Sequence, residues 1–222
     1  MIKPYYQDSA VALYHGNSYE LLPSLAAETN FQLMLTDPPY EMEMGGAGCF
    51  KDRQYKKDIE GFTDGGFDMS ILDACPNWFC FCSKDQLVEL MQRASVRRWM
   101  LLTWNKSNPT PFVNQTYLPD TEYIVHSFQV GRLFGEYADK ARYIYRPATQ
   151  NKDHPNEKPI EVLAKLIRLG TEQGDTIVDP FGGSGMTGVA AKSLGRKCVL
   201  IEREEWCCEV AARKLGQEWL GF

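Results

Sequence analysis

Asp37-Pro38-Pro39-Tyr40 is the first stretch whose residue types and order suggest chemistry. It directly follows the apolar run Phe31–Thr36, so a carboxylate stands where a strand should end. Two consecutive prolines fix φ and remove two backbone N–H donors, which leaves the Asp37 carboxylate and the Pro38 carbonyl as acceptors. A pair of acceptors suits an exocyclic amino group, which has two hydrogens to donate. Tyr40 adds a flat face on which a planar base can stack.

A second stretch, Gly174–Gly188, reads as strand, glycine-rich turn and helix. Gly182, Gly183 and Gly185 let the chain bend tightly and come close to a ligand, and the N–H groups at a helix start favour a carboxylate or phosphate. The pattern is neither GxGxxG nor GxxxxGK[ST], which removes the main sequence argument for a nicotinamide-dependent oxidoreductase. The apolar run Val199–Ile201 ends in Glu202, 19 residues after Gly183. An acid at that spacing accepts hydrogen bonds from ribose hydroxyls in dinucleotide-type folds. Together these residues point to a nucleoside ligand with a negatively charged tail.

Positioning both motifs requires strands that end at one edge. Apolar runs predict strands at Phe31–Thr36, Trp78–Cys82, Trp99–Trp104, Tyr123–Phe128, Thr176–Val178 and Cys198–Ile201. Helical periodicity predicts helices at Lys84–Ser95, Ile160–Leu169, 185–194 and 204–219. This alternation predicts an α/β fold, a mostly parallel sheet with helices on both faces and ligands at the carboxyl ends of its strands. Glu41–Phe67 and Gly131–Asp153 lack clear periodicity and are expected as a loop insert and a binding loop of a single domain spanning 1–222.

The 222 residues are 44% apolar and 24% charged, an ordinary globular balance without a membrane-length apolar run or a signal-peptide core. The net charge of −5 resides in residues 1–50, which hold six acids and one base. Three stretches are locally basic: Lys51–Lys57 at +3, Arg93–Lys106 at +4 and Arg132–Lys152 at +3. Phosphate contacts require a basic face rather than a basic protein, so net acidity does not exclude DNA. Seven cysteines without a CxxC pair fit neither a disulfide framework nor a zinc site and suggest a reducing, cytoplasmic setting. Three histidines, well apart in sequence, do not build a metal centre.

The pairing of Asp37-Pro-Pro-Tyr40 with Asp179-Pro-Phe-Gly-Gly-Ser-Gly185 resembles the S-adenosylmethionine-dependent DNA amino-methyltransferases, in the motif order of their β group. Asn156-Glu-Lys-Pro159 is similar to the family's tenth motif, which closes over the cofactor's methionine end. Arg98–Lys106 resembles the family's tryptophan–lysine strand, and Thr121–Val125 the strand after it. In the family an Asp commonly follows the glycine of the N-terminal strand; here Asn17 follows Gly16, keeping hydrogen-bonding capacity but not charge.

The resemblance implies a Rossmann-like fold and methyl transfer from S-adenosylmethionine to the N6 amine of adenine in DNA, with the flipped base held at Asp37, Pro38, Pro39 and Tyr40. It further implies that Asp179, Phe181, Gly182, Gly183, Ser184 and Gly185 line the methionine side of the cofactor, Glu202 holds the ribose and Asn17 lies near the adenine. Lys158 is the candidate for the cofactor carboxylate, with a solvated lysine at a helix start as the alternative, and Trp104 and Asn105 end a strand and could border the pocket, with core packing as the alternative for the tryptophan. Target recognition falls to about Gly131–Asp153, shared with the loop at 41–66. The alternatives are cytosine N4 as acceptor, RNA or protein glutamine as substrate, and a non-catalytic DNA-binding domain on the same fold. Monomer and homodimer are both compatible with the sequence.

Overall fold

Four consecutive buried residues, Leu33–Thr36, form the middle of the sheet, which is what an apolar run without alternation should do. The computed structural model describes residues 2–40, 66–109, 117–129, 133–149 and 157–217. In chain order the elements are β1 (Tyr6–Gln7), β2 (Val11–His15), α1 (Ser18–Glu28), β3 (Leu33–Thr36), β4 (Trp78–Cys82), α2 (Leu87–Ala94), β5 (Arg98–Lys106), β6 (Thr121–Phe128), β7 (Tyr143–Arg146), α3 (Ile160–Gly170), β8 (Thr176–Asp179), α4 (Met186–Ser193), β9 (Lys197–Glu202) and α5 (Glu205–Leu215). Short 3-10 turns occupy Met69–Ala74 and Tyr137–Lys140.

Among the described residues the sheet has nine strands in the order β1-β2-β9-β8-β3-β4-β6-β5-β7. The run from β2 to β4 is parallel throughout, and β7 pairs parallel to β5. β1 and β6 are antiparallel to their neighbours. The expected α/β architecture is therefore present, mostly parallel, with one reversed strand inside the sheet. That reversal brings the start of β6 to the same edge as the ends of β3, β4 and β5.

Strand period 2 divides the core between the two faces. Leu33, Leu35, Phe79, Phe81, Ile177 and Leu200 pack on one face under α3, α4 and α5. Met34, Trp78, Cys80, Cys82, Val178 and Ile201 pack on the other with α1, α2 and the turn at Met69–Ala74. Each large side chain fully removed from water contributes roughly 1.5–3 kcal/mol, so two filled faces hold the strand ends rigidly.

Several elements lay below the reach of periodicity. β2 is short, and α1 contains Pro23 and shows weak amphipathicity, so neither stands out in the sequence. β7 lies within the stretch expected to be irregular; it has four residues, of which only Ile144 is buried, because it borders the sheet. The helix expected at 204–219 runs Glu205–Leu215, and that expected from Lys84 starts at Leu87 after a turn. The expected insert at 41–67 falls outside the described residues except for 66–67; of 131–153, residues 133–149 are described. Among the described residues, no helix is long and apolar enough to cross a membrane.

Candidate active site

β8 ends at Asp179, which is 3% exposed. Its two oxygens accept from the Phe181 N–H at 3.1 Å and the Thr187 hydroxyl at 2.6 Å, tying the strand end to the first turn of α4. Burial pushes its carboxyl up to about 7. The turn then rises over β9, where the Gly182 N–H donates to the Ile201 carbonyl at 2.8 Å. A Cβ at Gly182 would lie 3.2 Å from Leu200 Cβ, and one at Gly185, whose φ is +81°, would lie 2.8 Å from Ala211 Cβ. These two glycines thus let the turn pack closely against β9 and α5.

Glu202 ends β9. Its Oε2 accepts the Gly183 N–H at 2.7 Å and its Oε1 the Glu204 N–H at 2.8 Å. Each oxygen retains acceptor capacity, and burial raises the pKa of the carboxyl. Asn17 stands at the neighbouring strand end, where the Gly16 N–H donates to the Glu202 carbonyl at 2.8 Å. The Asn17 side chain caps α1 by accepting the Tyr19 N–H at 3.0 Å. Phe181 meets Tyr19 and Phe67 edge-on, with ring centroids 6.4 and 5.8 Å apart.

Asp37 follows β3 at the same edge. Its Oδ1 accepts from the Tyr40 hydroxyl at 2.9 Å, and its Oδ2 lies 2.5 Å from Lys158 Nζ. Pro38 is buried, and the Pro39 carbonyl accepts from Gln86 Nε2 at 3.0 Å, which ties the turn to the segment after β4. Glu122, at the start of reversed β6, lies 3.2 Å from Lys158 and 2.8 Å from Lys106. Burial raises the Asp37 carboxyl; Lys158 lowers it and Glu122 raises it further. Burial lowers the Lys158 pKa, but the two carboxylates outweigh that and hold the ammonium at about 12. Glu122 is held below the usual carboxylate range; burial opposes this, and Lys158 and Lys106 prevail.

Asp37, Lys158, Asp179, Phe181, Gly182, Gly183 and Ser184 line one cleft, together with Thr36, Phe81 and Glu157. Glu157 is buried, accepts from the Ser184 hydroxyl at 3.0 Å and pairs with Lys214 of α5. A larger groove of about 430 Å³ opens by Trp78, at the amino end of β4, away from these strand ends. Lys158 pairs with Asp37 and Glu122 and lines the same cleft as the glycine turn. Trp104 is core, with its indole N–H donating to the Arg146 carbonyl at 3.0 Å. Asn105 donates to the Thr121 hydroxyl at 3.1 Å, inside the β5–β6 pair.

Glu122, Lys106, Gln86 and Glu157 were not singled out in the sequence. Glu122 and Lys106 fall within stretches that resemble family strands, but only the reversal of β6 brings them beside Asp37. Among the described residues, no group of three or more His, Cys, Asp or Glu is arranged to hold a metal ion.

A protein-family model described as DNA methylase, covering N6 and N4 amino-methyltransferases, matches residues 31–213. The chain belongs to this family. DNA methylases of this kind draw their methyl group from S-adenosylmethionine. Among curated relatives, the Type II methyltransferase M2.LlaDCHI of Lactococcus lactis subsp. cremoris is 26% identical over 258 residues, covering 98% of this chain and 93% of the relative. The M1.HpyAVI–SAM complex shares the fold with a TM-score of 0.66 at 23% identity, covering 92% of this chain and 100% of that one. The cytosine-N4-specific PvuII DNA methyltransferase does so with a TM-score of 0.69 at 17% identity, covering 97% and 89%.

The site's donor set suits an S-adenosyl group. Glu202 keeps acceptor positions for a ribose diol, and the start of α4 offers N–H groups that lack intrahelical partners and suit a carboxylate.

Proposed function

We propose that this DNA methylase transfers a methyl group to the N6 amine of adenine in DNA. The observation that carries this reading is that the acceptor turn at Asp37 and the glycine turn at Gly182–Ser184 line a single cleft. When bound, the cofactor supplies an electrophilic methyl group. The residues of the chain do the rest.

An exocyclic amine is a poor nucleophile because its lone pair is delocalised into the ring. Hydrogen bonds from that amine to the Asp37 carboxylate and the Pro38 carbonyl favour a pyramidal nitrogen and direct its lone pair toward the methyl group. The amine of a duplex base is reached only after the base leaves the stack, at a cost of a few kcal/mol. Stacking on Tyr40 offsets part of that cost. Pro39 keeps the turn rigid and hands its carbonyl to Gln86 rather than to a substrate. In this reading Asp179, Phe181, Gly182, Gly183, Ser184 and Gly185 shape the methionine side of the cofactor site. Glu202 takes the ribose, Asn17 borders the adenine end, and Lys158 stands between the two halves of the cleft. The stretch 131–153, which contains the edge strand β7, takes part in target binding together with the loop at 41–66. The six described cysteines are free and buried, a state that persists in a reducing cytoplasm, which is the compartment proposed.

The test is tritiated methyl transfer to unmethylated DNA by the Asp37→Ala variant, followed by nucleoside analysis of wild-type product. Transfer should be abolished while cofactor affinity is retained. Near-normal transfer overturns the role of Asp37, and N4-methylcytosine in the product overturns the choice of adenine.

A further inference from the structure

Two carboxylates compete for one buried ammonium beside the acceptor turn. Lys158 Nζ lies 2.5 Å from Asp37 Oδ2 and 3.2 Å from Glu122 Oε2, with a side chain only 8% exposed. It also sits 5.1 Å from the Phe81 ring centroid and 5.4 Å from that of Tyr40, so its place is walled on two sides. The Tyr40 hydroxyl is poised between the same two carboxylates, donating to Asp37 at 2.9 Å and lying 3.3 Å from Glu122. Lys106 completes the set at 2.8 Å from Glu122 Oε1. Two acids and two ammonium groups therefore form a closed, charge-balanced cluster at the strand edge.

This arrangement raises a difficulty for the proposed reaction. Tyr40 holds one acceptor position of Asp37 Oδ1 and Lys158 one of Oδ2, so an incoming amino group competes at Oδ2 with an ammonium that binds more strongly. A lysine left with Asp37 as its sole anionic partner would occupy that oxygen and oppose the positive charge that develops on the attacking nitrogen.

We infer that Glu122 is a positioning residue that takes over Lys158 from Asp37 and so frees the Asp37 carboxylate for the exocyclic amine of the target base. The inference rests on the reading of Asp37 as amine acceptor. The takeover is short, because Lys158 already has Glu122 within ion-pair distance and needs only to shift its balance between two oxygens. Lys106 keeps Glu122 ionised and oriented toward the cluster, and the position of Glu122 beside β4 is set by the register that pairs its neighbour Tyr123 with Cys82. No bond is made or broken in this step, and the protons stay on the lysines.

The test is a double-mutant cycle on single-turnover methyl transfer with saturating cofactor, using Glu122→Gln and Lys158→Gln. In the wild-type background, Glu122→Gln is expected to slow transfer about tenfold, the scale of one lost charged hydrogen bond. In the Lys158→Gln background, the same change is expected to cost less than about twofold, because no ammonium remains to be removed from Asp37. A second readout separates this role from loss of packing. The titratable groups facing Asp37 are Lys158 ahead of α3, Glu122 on β6 and Asp179 on β8, with Tyr40 on its own turn and the Cys80 and Cys82 thiols of β4 beside it. Removing the Glu122 charge lowers the Asp37 pKa, so the acid limb of the rate profile should move to lower pH in Glu122→Gln. Equal slowing in both backgrounds, or an unmoved acid limb, overturns the takeover. Asp37→Asn distinguishes the two levels: if it still transfers methyl, the reading of Asp37 itself fails, whereas an inactive Asp37→Asn alongside a Glu122→Gln of wild-type rate and pH profile removes only the role of Glu122.

Discussion

The carboxylate of Glu202 accepts the backbone N–H of Gly183 at 2.7 Å, joining the end of β9 to the glycine turn 19 residues earlier in the chain. One side chain thereby orders the turn, and each of its oxygens retains acceptor capacity. In Glu202→Gln the amide offers one acceptor oxygen where two N–H groups, of Gly183 and Glu204, require two. Cofactor affinity measured by calorimetry is expected to fall about tenfold or more, the loss of one or two charged hydrogen bonds. An unchanged dissociation constant would remove Glu202 from the ribose site.

Gly185 is constrained both by its own backbone and by its neighbour. At φ +81° any other residue is strained, and an added Cβ would meet Ala211 Cβ at 2.8 Å and its Cα at 3.1 Å. Gly174 has φ +90° but open space around it. Urea unfolding of Gly174→Ala should therefore report conformational strain alone, about 1 kcal/mol. Gly185→Ala should lose a further 1–3 kcal/mol or so from overpacking against α5. Equal losses at the two sites would mean that the contact with Ala211 is relieved without cost.

The raised Asp179 carboxyl makes stability depend on pH in a direction opposite to most acids. Its folded-state value of about 7 exceeds the ordinary 3.8, so the folded protein holds the extra proton between those values. Stability from this group is present in full below about pH 4 and is lost as pH rises through 7, by an amount of order 4 kcal/mol at most. Asp179→Asn keeps a neutral side chain whose amide donates to the Thr187 hydroxyl. The stability difference between Asp179→Asn and wild type should grow in favour of the variant from pH 5 to pH 8, read from urea midpoints without cofactor. A difference that is constant with pH would contradict the buried, protonated carboxyl.

Glu157 and Lys214 form an ion pair with side chains only 4% and 6% exposed, and Glu157 also accepts from the Ser184 hydroxyl at 3.0 Å. The pair clamps the segment before α3 onto both α5 and the glycine turn. Glu157→Gln removes one charge of a buried pair and is expected to cost about 3 kcal/mol in unfolding free energy. Cofactor binding should weaken in parallel because Ser184 loses its anchor. Retained stability with weakened binding would place Glu157 in contact with the cofactor instead.

Much of the site was legible because its parts are local in the chain. Asp37-Pro38-Pro39-Tyr40 and Asp179–Gly185 each follow an apolar run, and a residue after a strand must lie at its carboxyl edge whatever the topology. The spacing from Gly183 to Glu202 is that of one helix and one strand, so their hydrogen bond is local in the same sense. The glycines were read as a tight turn, and the positive φ of Gly183 and Gly185 bears that out; Gly182 and Gly185 answer in addition to Leu200 and Ala211, contacts that the sequence does not display. β2, α1 and β7 escaped because short, half-exposed or weakly amphipathic elements carry little periodicity.

By itself, then, the sequence determined the alternation of buried strands and helices, the two motifs and the family, since each depends on residues close together in the chain. The tertiary structure alone decided the partners of those motifs. Reversal of β6 swings Glu122 to the edge where Asp37 ends, the adjoining end of β5 brings Lys106, and the docking of α3 sets Lys158 between the two acids. Charges from distant segments meet only when the sheet is complete. A strand's direction in that sheet depends on which neighbours bury its two faces, not on its own residues.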